Sequence, residues 1–201
     1  MAPPPLRLRF VTSAARLSQL PARRAEVAFV GRSNVGKSSL INALAGTRQL
    51  ARVSNTPGRT QLINLFDLLD REHAEGADAA VVDLPGYGYA KVPGRIRREW
   101  PEMIEGYLLD RESLVQVFVL VDGPIGPTPL DVQMLDWLRE NQVPHTVVAT
   151  KQDKVKSSKR DGRRTELASG CRLERGDIVW TSTSSGDGID LLRSLVRGHL
   201  A

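Results

Sequence analysis

Residues 31–38, GRSNVGKS, have the spacing G-x-x-x-x-G-K-[ST] of a phosphate-binding loop. They directly follow the apolar run 26–30 and precede a helical stretch, which is the context that this motif requires. The glycines would let backbone N–H groups converge on phosphate oxygens at the positive end of the next helix. Lys37 would bring its charge to the β- and γ-phosphates, and the Ser38 hydroxyl would ligate Mg²⁺. The nucleotide-binding residues predicted from this loop are Gly31, Arg32, Ser33, Asn34, Val35, Gly36, Lys37 and Ser38.

A second motif, DLPG, ends the third apolar run of the chain. An Asp followed three places later by a Gly occurs by chance about once in a chain of this length, so the position of the motif carries the argument. At a strand end beside the phosphate loop, Asp83 could hold the metal through a water, and the Gly86 N–H could meet the γ-phosphate. We assign nucleotide binding to Asp83, Leu84, Pro85 and Gly86, the alternative being a strand-to-turn segment without a ligand.

The third motif, TKQD, closes the fifth apolar run and could choose the base. The Asp153 carboxylate can accept hydrogen bonds from N1–H and the 2-amino group of guanine together, and adenine has no such pair of donors. Lys151 could lay its aliphatic stem over the plane of the base. The pattern predicts guanine binding by Thr150, Lys151, Gln152 and Asp153, the alternative being a polar strand end.

A fourth segment, Trp180, Thr181 and Ser182, ends the last apolar run. Its backbone N–H groups could meet the carbonyl oxygen of guanine. The register is left open, because Thr183 or Ser184 would serve as well. The alternative is a loop that is merely rich in Ser and Thr.

The polar segment 54–62, SNTPGRTQL, has no burial pattern and is typical of a switch. A threonine there could close over the metal when the γ-phosphate is present and let go after hydrolysis. We prefer Thr60 to Thr56 for this role, and the alternative is an ordinary surface loop. The nucleotide-binding residues predicted here are Gly58, Arg59, Thr60, Gln61 and Leu62.

Short apolar runs alternate with amphipathic stretches, as in a parallel sheet covered by helices. The predicted strands are residues 27–30, 61–67, 79–84, 114–121, 145–150 and 177–180, and the predicted helices are residues 37–44, 96–109, 130–141, 159–169 and 189–200. Only a polar turn around residues 71–78 separates the second strand from the third, so this pair is expected to be antiparallel. The sequence therefore predicts a three-layer α/β fold with a six-stranded, mostly parallel sheet that contains one antiparallel strand.

The 201 residues are enough for one well-buried domain. We assign residues 24–201 to this domain and residues 1–23, with three prolines among the first five, to a partly disordered N-terminal extension. Cys171 is the only cysteine, so no intrachain disulfide can form, and a reducing cytoplasm is expected. No run of about 18 apolar residues occurs, so we expect no membrane association.

The net charge of +5 is concentrated in one segment. Residues 151–175 hold nine Lys or Arg and four Asp or Glu, which accounts for the whole excess. Such a segment suits a polyanionic partner such as RNA, whose phosphates attract basic side chains. The alternative is a solvated helix face. The candidate contacts on the predicted helix are Lys159, Arg160, Arg163 and Arg164.

The strings GRSNVGKSSLINAL, NTPGRTQLINLF, DLPGYGYA and TKxD resemble those of the EngB (YihA/YsxC) family of bacterial GTPases, over residues 26–200. The resemblance implies a Ras-like P-loop fold, Mg²⁺-dependent hydrolysis of GTP, and a role in assembly of the large ribosomal subunit, with a requirement in cell division and septation. It places metal ligands on Ser38 and Thr60, the γ-phosphate contact on Gly86, and base selection on Lys151 and Asp153. The implied partners are GTP or GDP, the large ribosomal subunit or its precursor, and ribosomal RNA; we expect a monomer.

Hydrolysis raises a separate question, because Tyr87 follows Gly86 where Ras-type enzymes use a Gln to aim the attacking water. Slow intrinsic turnover is therefore expected. Asn34 lies where related GTPases use an Asn to hold K⁺, and this ion could supply positive charge between the β- and γ-phosphates. The alternative is that Asn34 caps the loop through its own backbone. The expected catalytic residues are Lys37, Thr60, Gly86 and Asn34.

Two other functions fit parts of the pattern. A nucleotide-gated protein-interaction module of the division machinery would share the nucleotide site and need no RNA. An ATP-using P-loop kinase is disfavoured by Asp153 and by the lack of an evident site for a second substrate.

Overall fold

A computed structural model describes residues 2–47, 49–51, 62–69, 78–87 and 94–201 of the chain. The strands in these ranges are β1 (Leu8–Ala14), β2 (Ala25–Gly31), β3 (Ile63–Leu68), β4 (Ala79–Asp83), β5 (Leu114–Asp122), β6 (His145–Thr150) and β7 (Ile178–Trp180). The α-helices are α1 (Lys37–Leu44), α2 (Gly94–Asp110), α3 (Pro129–Glu140), α4 (Arg160–Gly170) and α5 (Ile189–Leu200). The elements thus alternate along most of the chain, as predicted.

The strands form one sheet in the order β1-β3-β4-β2-β5-β6-β7. Strand β3 runs antiparallel to both of its neighbours, and the other pairs are parallel. The prediction of a mostly parallel sheet with one antiparallel strand is therefore confirmed. The predicted number of strands was wrong, since the described part of the chain has seven strands and not six.

The strand that sequence reasoning missed is β1, which lies inside the segment assigned to an N-terminal extension. It pairs with β3 from Leu8 opposite Leu68 to Ala14 opposite Ile63, with an irregularity between Phe10 and Thr12. Within β1 only Ala14 is buried. Leu6, Leu8 and Phe10 alternate with Arg7 and Arg9, which is a strand pattern, but the three prolines just before it favour a tail. The domain boundary at residue 24 stays a prediction.

Helices cover both faces of the sheet and bury two separate apolar clusters. On one face, α2, α3 and α4 contribute residues such as Tyr107, Leu135 and Leu167. On the other face, α1 and α5 pack against alternate residues of the same strands. Helix α5 shows why the helices form, because Ile189, Leu192, Val196 and Leu200 fall on one stripe at helical spacing and are all buried. These layers confirm the predicted three-layer fold. No helix in the described ranges is long and apolar enough to cross a membrane.

The sheet order determines where the motifs meet. Strands β2, β4, β6 and β7 are parallel, so their carboxyl ends lie at the same edge of the sheet. The phosphate loop follows β2, DLPG begins at the end of β4, TKQD begins at the end of β6, and the last Ser/Thr-rich segment follows β7. This edge is where open α/β sheets bind their ligands.

Candidate functional site

The phosphate loop is a tight turn between β2 and α1. Gly31 has no room for a side chain, because a Cβ there would lie 2.9 Å from the Leu120 Cβ atom. Asn34 and Gly36 have positive φ angles of 66° and 107°, in the region that glycine and asparagine tolerate best. The Val35 side chain is buried and anchors the turn in the core. Helix α1 begins at Lys37, so its positive end faces the loop.

Lys37 and Asp83 meet in the interior of the site. The Lys37 ammonium pairs with the Asp83 carboxylate, and the two residues are only 7% and 2% exposed. Two buried charges are costly unless they are paired, so neither group belongs to an ordinary apolar core. The structure therefore brings together the cation predicted for phosphate and the carboxylate predicted for the metal.

The DLPG motif lies directly against the phosphate loop. The Tyr87 N–H donates to the Gly31 carbonyl at 3.3 Å, and the Ser33 N–H donates to the Tyr87 carbonyl at 3.1 Å. A Cβ on Gly86 would lie 3.1 Å from the Ser33 hydroxyl, so this position has little room for a larger residue. Leu84 is fully buried in the core, so its side chain cannot be the part that meets a nucleotide. Of this motif, the Asp83 side chain and the Gly86 backbone remain the candidates for ligand contact.

The TKQD motif reaches the phosphate loop through two side chains. The Thr150 hydroxyl donates to the Val35 carbonyl at 2.7 Å. The Lys151 ammonium donates to the Asn34 carbonyl at 2.8 Å and pairs with the Asp122 carboxylate at 2.7 Å. Asp122 was not among the predicted residues, although it could have been found as the buried acid that ends β5 between β2 and β6. Lys151 thus joins the predicted phosphate site to the predicted base site.

Asp153 is exposed and held by the last loop. The Ser182 hydroxyl donates to its carboxylate at 2.7 Å, and this hydrogen bond lowers the pKa of Asp153 below its usual value. The carboxylate is therefore fully ionised at neutral pH and can accept two hydrogen bonds from a base. Ser182 itself is fully buried, so it supports Asp153 from beneath.

The backbone hydrogen bonds of the last loop limit which of its N–H groups could contact the guanine carbonyl. The Thr181 N–H donates to the Ala149 carbonyl at 2.8 Å, and the Ser182 N–H donates to the Asp187 carbonyl at 2.9 Å. Both groups are therefore already engaged within the chain. Trp180 ends β7 in the sheet, pairing with Ala149. Thr183 and Ser184 are exposed in the same loop and are the remaining candidates for the contact to the guanine carbonyl.

Tyr87 is held by α3. Its hydroxyl donates to the Asp131 carboxylate at 2.7 Å, and its ring packs against the core. Burial raises the pKa of Tyr87 well above its usual value. Asp131 also accepts from the Thr128 N–H at 2.8 Å at the start of α3. The phenol is thus bound to a helix cap, which agrees with the expectation that Tyr87 does not replace the water-positioning Gln.

Several predicted residues lie outside the described residues. They are Gly58, Arg59, Thr60 and Gln61, together with the alternative Thr56. Leu62 is described, is 39% exposed and lies immediately before β3. The assignment of the switch and of Thr60 as a metal ligand therefore stays a prediction.

The basic side chains of residues 151–175 fall into two groups, those that contact the fold and those that are exposed. Arg163 donates to the carbonyls of Gly123 and Pro124, and Arg164 lies over the Trp180 ring, so both are engaged within the fold. The number of charges in the sequence does not show that these two arginines contact the fold. Lys154, Lys156 and Lys159 are instead exposed and form no salt bridge in the described part of the chain. These three lysines are therefore better candidates for contacts with a polyanion than the two arginines.

Comparisons with known proteins agree with this geometry. Residues 26–151 match the family model described as "50S ribosome-binding GTPase". A "probable GTP-binding protein EngB" from Ruegeria pomeroyi is 44% identical over 195 residues, which cover 95% of this chain and 86% of the relative. A protein of the same name from Pelotomaculum thermopropionicum is 52% identical over 152 residues, 75% of this chain and 73% of the relative. The crystal structure of a probable GTP-binding protein engB superposes with a TM-score of 0.69 at 25% identity, over 88% of this chain and 98% of the other.

The position of Tyr87 generates a first prediction. Tyr87→Phe should leave the rate of GTP hydrolysis within about twofold of the parent, because the hydroxyl that is lost faces α3. The free energy of unfolding should fall by about 1 kcal/mol, because the Asp131 carboxylate loses a buried partner. Single-turnover hydrolysis and urea unfolding measure the two effects, with Lys37→Ala as the control that loses tight GTP binding. A tenfold or greater fall in the hydrolysis rate of Tyr87→Phe would show that the phenol takes part in the reaction.

Proposed function

This chain belongs to the EngB family of P-loop GTPases, and we propose that it is a GTP-driven switch for assembly of the large ribosomal subunit. The fold and the family establish GTP hydrolysis as its activity. The observation that carries the proposal is the contact of Lys151 with the Asn34 carbonyl, which joins the phosphate loop to the motif that would read the base.

Guanine is selected by Asp153 in this proposal. Its ionised carboxylate would accept from N1–H and the 2-amino group of guanine, with Lys151 along the base and the Thr183 or Ser184 N–H at the base carbonyl. An adenine nucleotide would offer the carboxylate no donors from its base, and a charged group that loses such partners costs about 1–3 kcal/mol. ATP is therefore excluded by the same side chain that holds GTP.

The residues beside the phosphate loop fit a Mg²⁺ ion. The Ser38 hydroxyl and the Asp83 carboxylate are hard oxygen donors, which Mg²⁺ prefers. Ser38 is the second residue of α1, and Asp83 ends the neighbouring strand β4. Bound there, the ion would neutralise negative charge on the phosphate oxygens. Lys37 would hold the β- and γ-phosphates from the same side, and we propose Thr60 as a further ligand.

A ribosomal partner is supported by the family and by charge. The matching family is described as binding the 50S ribosomal subunit. The exposed lysines Lys154, Lys156 and Lys159 follow the TKQD motif directly and would meet RNA phosphates. We place the protein in the cytoplasm as a monomer that binds the subunit or its precursor, and we attribute a requirement in cell division and septation to this assembly role.

The base-reading role predicts a change of specificity. Asp153→Asn should weaken GDP binding on the order of 100-fold, since two hydrogen bonds to a charged acceptor are lost. Xanthosine diphosphate should bind more tightly than before, because the amide can donate to its 2-oxo group. Parallel titrations of GDP, xanthosine diphosphate and ADP measure both effects. Asp161→Asn, an exposed acid on α4, is the matched control. Unchanged GDP affinity in Asp153→Asn would remove guanine selection from this residue.

The proposed RNA contacts of the three exposed lysines predict that binding to large-subunit particles depends on salt. Replacing Lys154, Lys156 and Lys159 together by Gln should weaken binding to large-subunit particles and lower the salt slope by about two units, at roughly 0.7 per phosphate contact. GDP affinity should change little. Co-sedimentation over a range of KCl concentrations measures the slope, and Arg16→Gln, an exposed cation at the other end of the chain, is the control. Equal slopes for the triple variant and the parent would leave a solvated face with no RNA contact.

A potassium ion completes the proposed catalytic site, with Asn34 as one ligand. The Asn34 side chain is exposed and forms no hydrogen bond within the described ranges, which leaves its oxygen available to an ion. Turnover with ribosomal particles should be at least about tenfold faster in K⁺ than in Na⁺. This ratio corresponds to an activation free energy that is lower by about 1.4 kcal/mol. Asn34→Ala should remove the difference. Equal turnover in both salts at matched ionic strength, with and without particles, would make a partner-supplied group the better explanation.

A further inference from the structure

Helix α4 contacts the loop after β5 through Arg163 and both guanine-reading segments through Arg164. The Arg163 guanidinium donates to the carbonyls of Gly123 and Pro124 at 2.8 and 2.7 Å, directly after Asp122. The Arg164 guanidinium donates to the Gln152 side chain at 3.1 Å. Its Cζ atom also lies 5.8 Å from the centre of the Trp180 ring. Arg163 and Arg164 were expected to be exposed surface charges, but both guanidinium groups contact other parts of the fold.

A chain of hydrogen bonds runs from Arg164 to Asp153. The Gln152 carboxamide accepts from Arg164 and donates to the Asp187 carboxylate at 3.4 Å. The Asp187 carbonyl accepts from the Ser182 N–H at 2.9 Å. The Ser182 hydroxyl in turn donates to Asp153 at 2.7 Å. Gln152 is thus the one side chain that bridges α4 and the last loop along this route.

The surroundings of this chain leave little room for adjustment. Gln152 is only 7% exposed, and its backbone N–H donates to the Thr181 carbonyl at 3.0 Å. A Cβ on Gly123 would lie 2.9 Å from the Trp180 ring, so the ring lies close against the backbone that follows β5. A Cβ on Gly188 would clash with the Trp180 carbonyl. Trp180 is therefore confined between neighbouring backbones, and Arg164 lies over its ring.

We propose that Arg164 and Gln152 are positioning residues for guanine selectivity, which set the orientation of Asp153 through Asp187 and Ser182. The proposal rests on the role of Asp153 in reading guanine. Neither residue needs to touch the nucleotide. Their task is to hold the last loop so that the Ser182 hydroxyl fixes one carboxylate oxygen and leaves the other free for the 2-amino group of the base.

Inosine diphosphate separates positioning from general stability. It differs from GDP by the missing 2-amino group, so it cannot use the second hydrogen bond to Asp153. A misoriented carboxylate weakens GDP binding and changes IDP binding much less, so the ratio of the two affinities falls. A loss of stability alone lowers both affinities together and leaves the ratio unchanged.

The experiment measures the dissociation constants of GDP and IDP for the full chain and its variants. The parent should prefer GDP by at least about tenfold, the value of one hydrogen bond to a charged group. Arg164→Met and Gln152→Leu, which keep side-chain volume and remove the hydrogen bonds, should each narrow the preference to about threefold or less. The double variant should be no worse than either single one, because both break the same chain. Arg160→Met is the matched control on α4, and its parent side chain contacts the Val155 carbonyl.

The possible results separate the positioning role from the proposed function. An unchanged GDP to IDP ratio in both single variants, with binding intact, would overturn the positioning role. Additive losses in the double variant would also overturn it, since the residues would then act separately. If Arg164→Met does not fold, Gln152→Leu alone decides, because it keeps the arginine over Trp180. If the parent itself binds IDP as tightly as GDP, guanine reading by Asp153 has failed, which is a failure of the proposed function.

Discussion

Lys151 connects the two chemical halves of the site, because its ammonium group donates to the Asn34 carbonyl and pairs with Asp122. This contact fixes the spacing between the phosphate loop and the motif that would read the base, and a nucleotide can use both only if its length matches that spacing. The sheet supports the arrangement, since β5 lies between β2 and β6 and supplies the buried acid. Because its ammonium group has two partners, the Lys151 side chain has little freedom to move.

The basic side chains at the start and in the middle of helix α4 lie in different environments, which the sequence alone does not show. Arg163 and Arg164 turn toward the loops around the base, whereas Lys159 at its start stays exposed. A partner that binds the lysines would therefore press on the helix that braces the base-reading loops. The lysines proposed to bind RNA lie just before this helix and the arginine proposed to position Asp153 lies on it, which offers a direct physical route for coupling the two functions.

Much of the fold and site follows from local patterns. The phosphate loop was predictable because its spacing, preceding strand and following helix agree, and α1 and α5 begin and end where the apolar periodicity does. Strand β1 was missed because its alternation of apolar and basic residues is short and directly follows three prolines. Asp122 lies one residue beyond the predicted strand 114–121 and was therefore not considered. The partners of Arg163 and Arg164 were missed because they are distant in sequence, and charge alone does not show which side chains the fold will bring together.

In the proposed function, guanine nucleotides control binding of the protein to the large ribosomal subunit. The most direct measurement is co-sedimentation of the full chain with purified large subunits in the presence of GDP, a non-hydrolysable GTP analogue, or the corresponding ATP analogue. The account predicts that the GTP analogue retains the protein on the particles, that GDP releases it, and that the ATP analogue behaves like no nucleotide, because Asp153 rejects adenine. Equal sedimentation under all three conditions would contradict a guanine-controlled ribosomal switch.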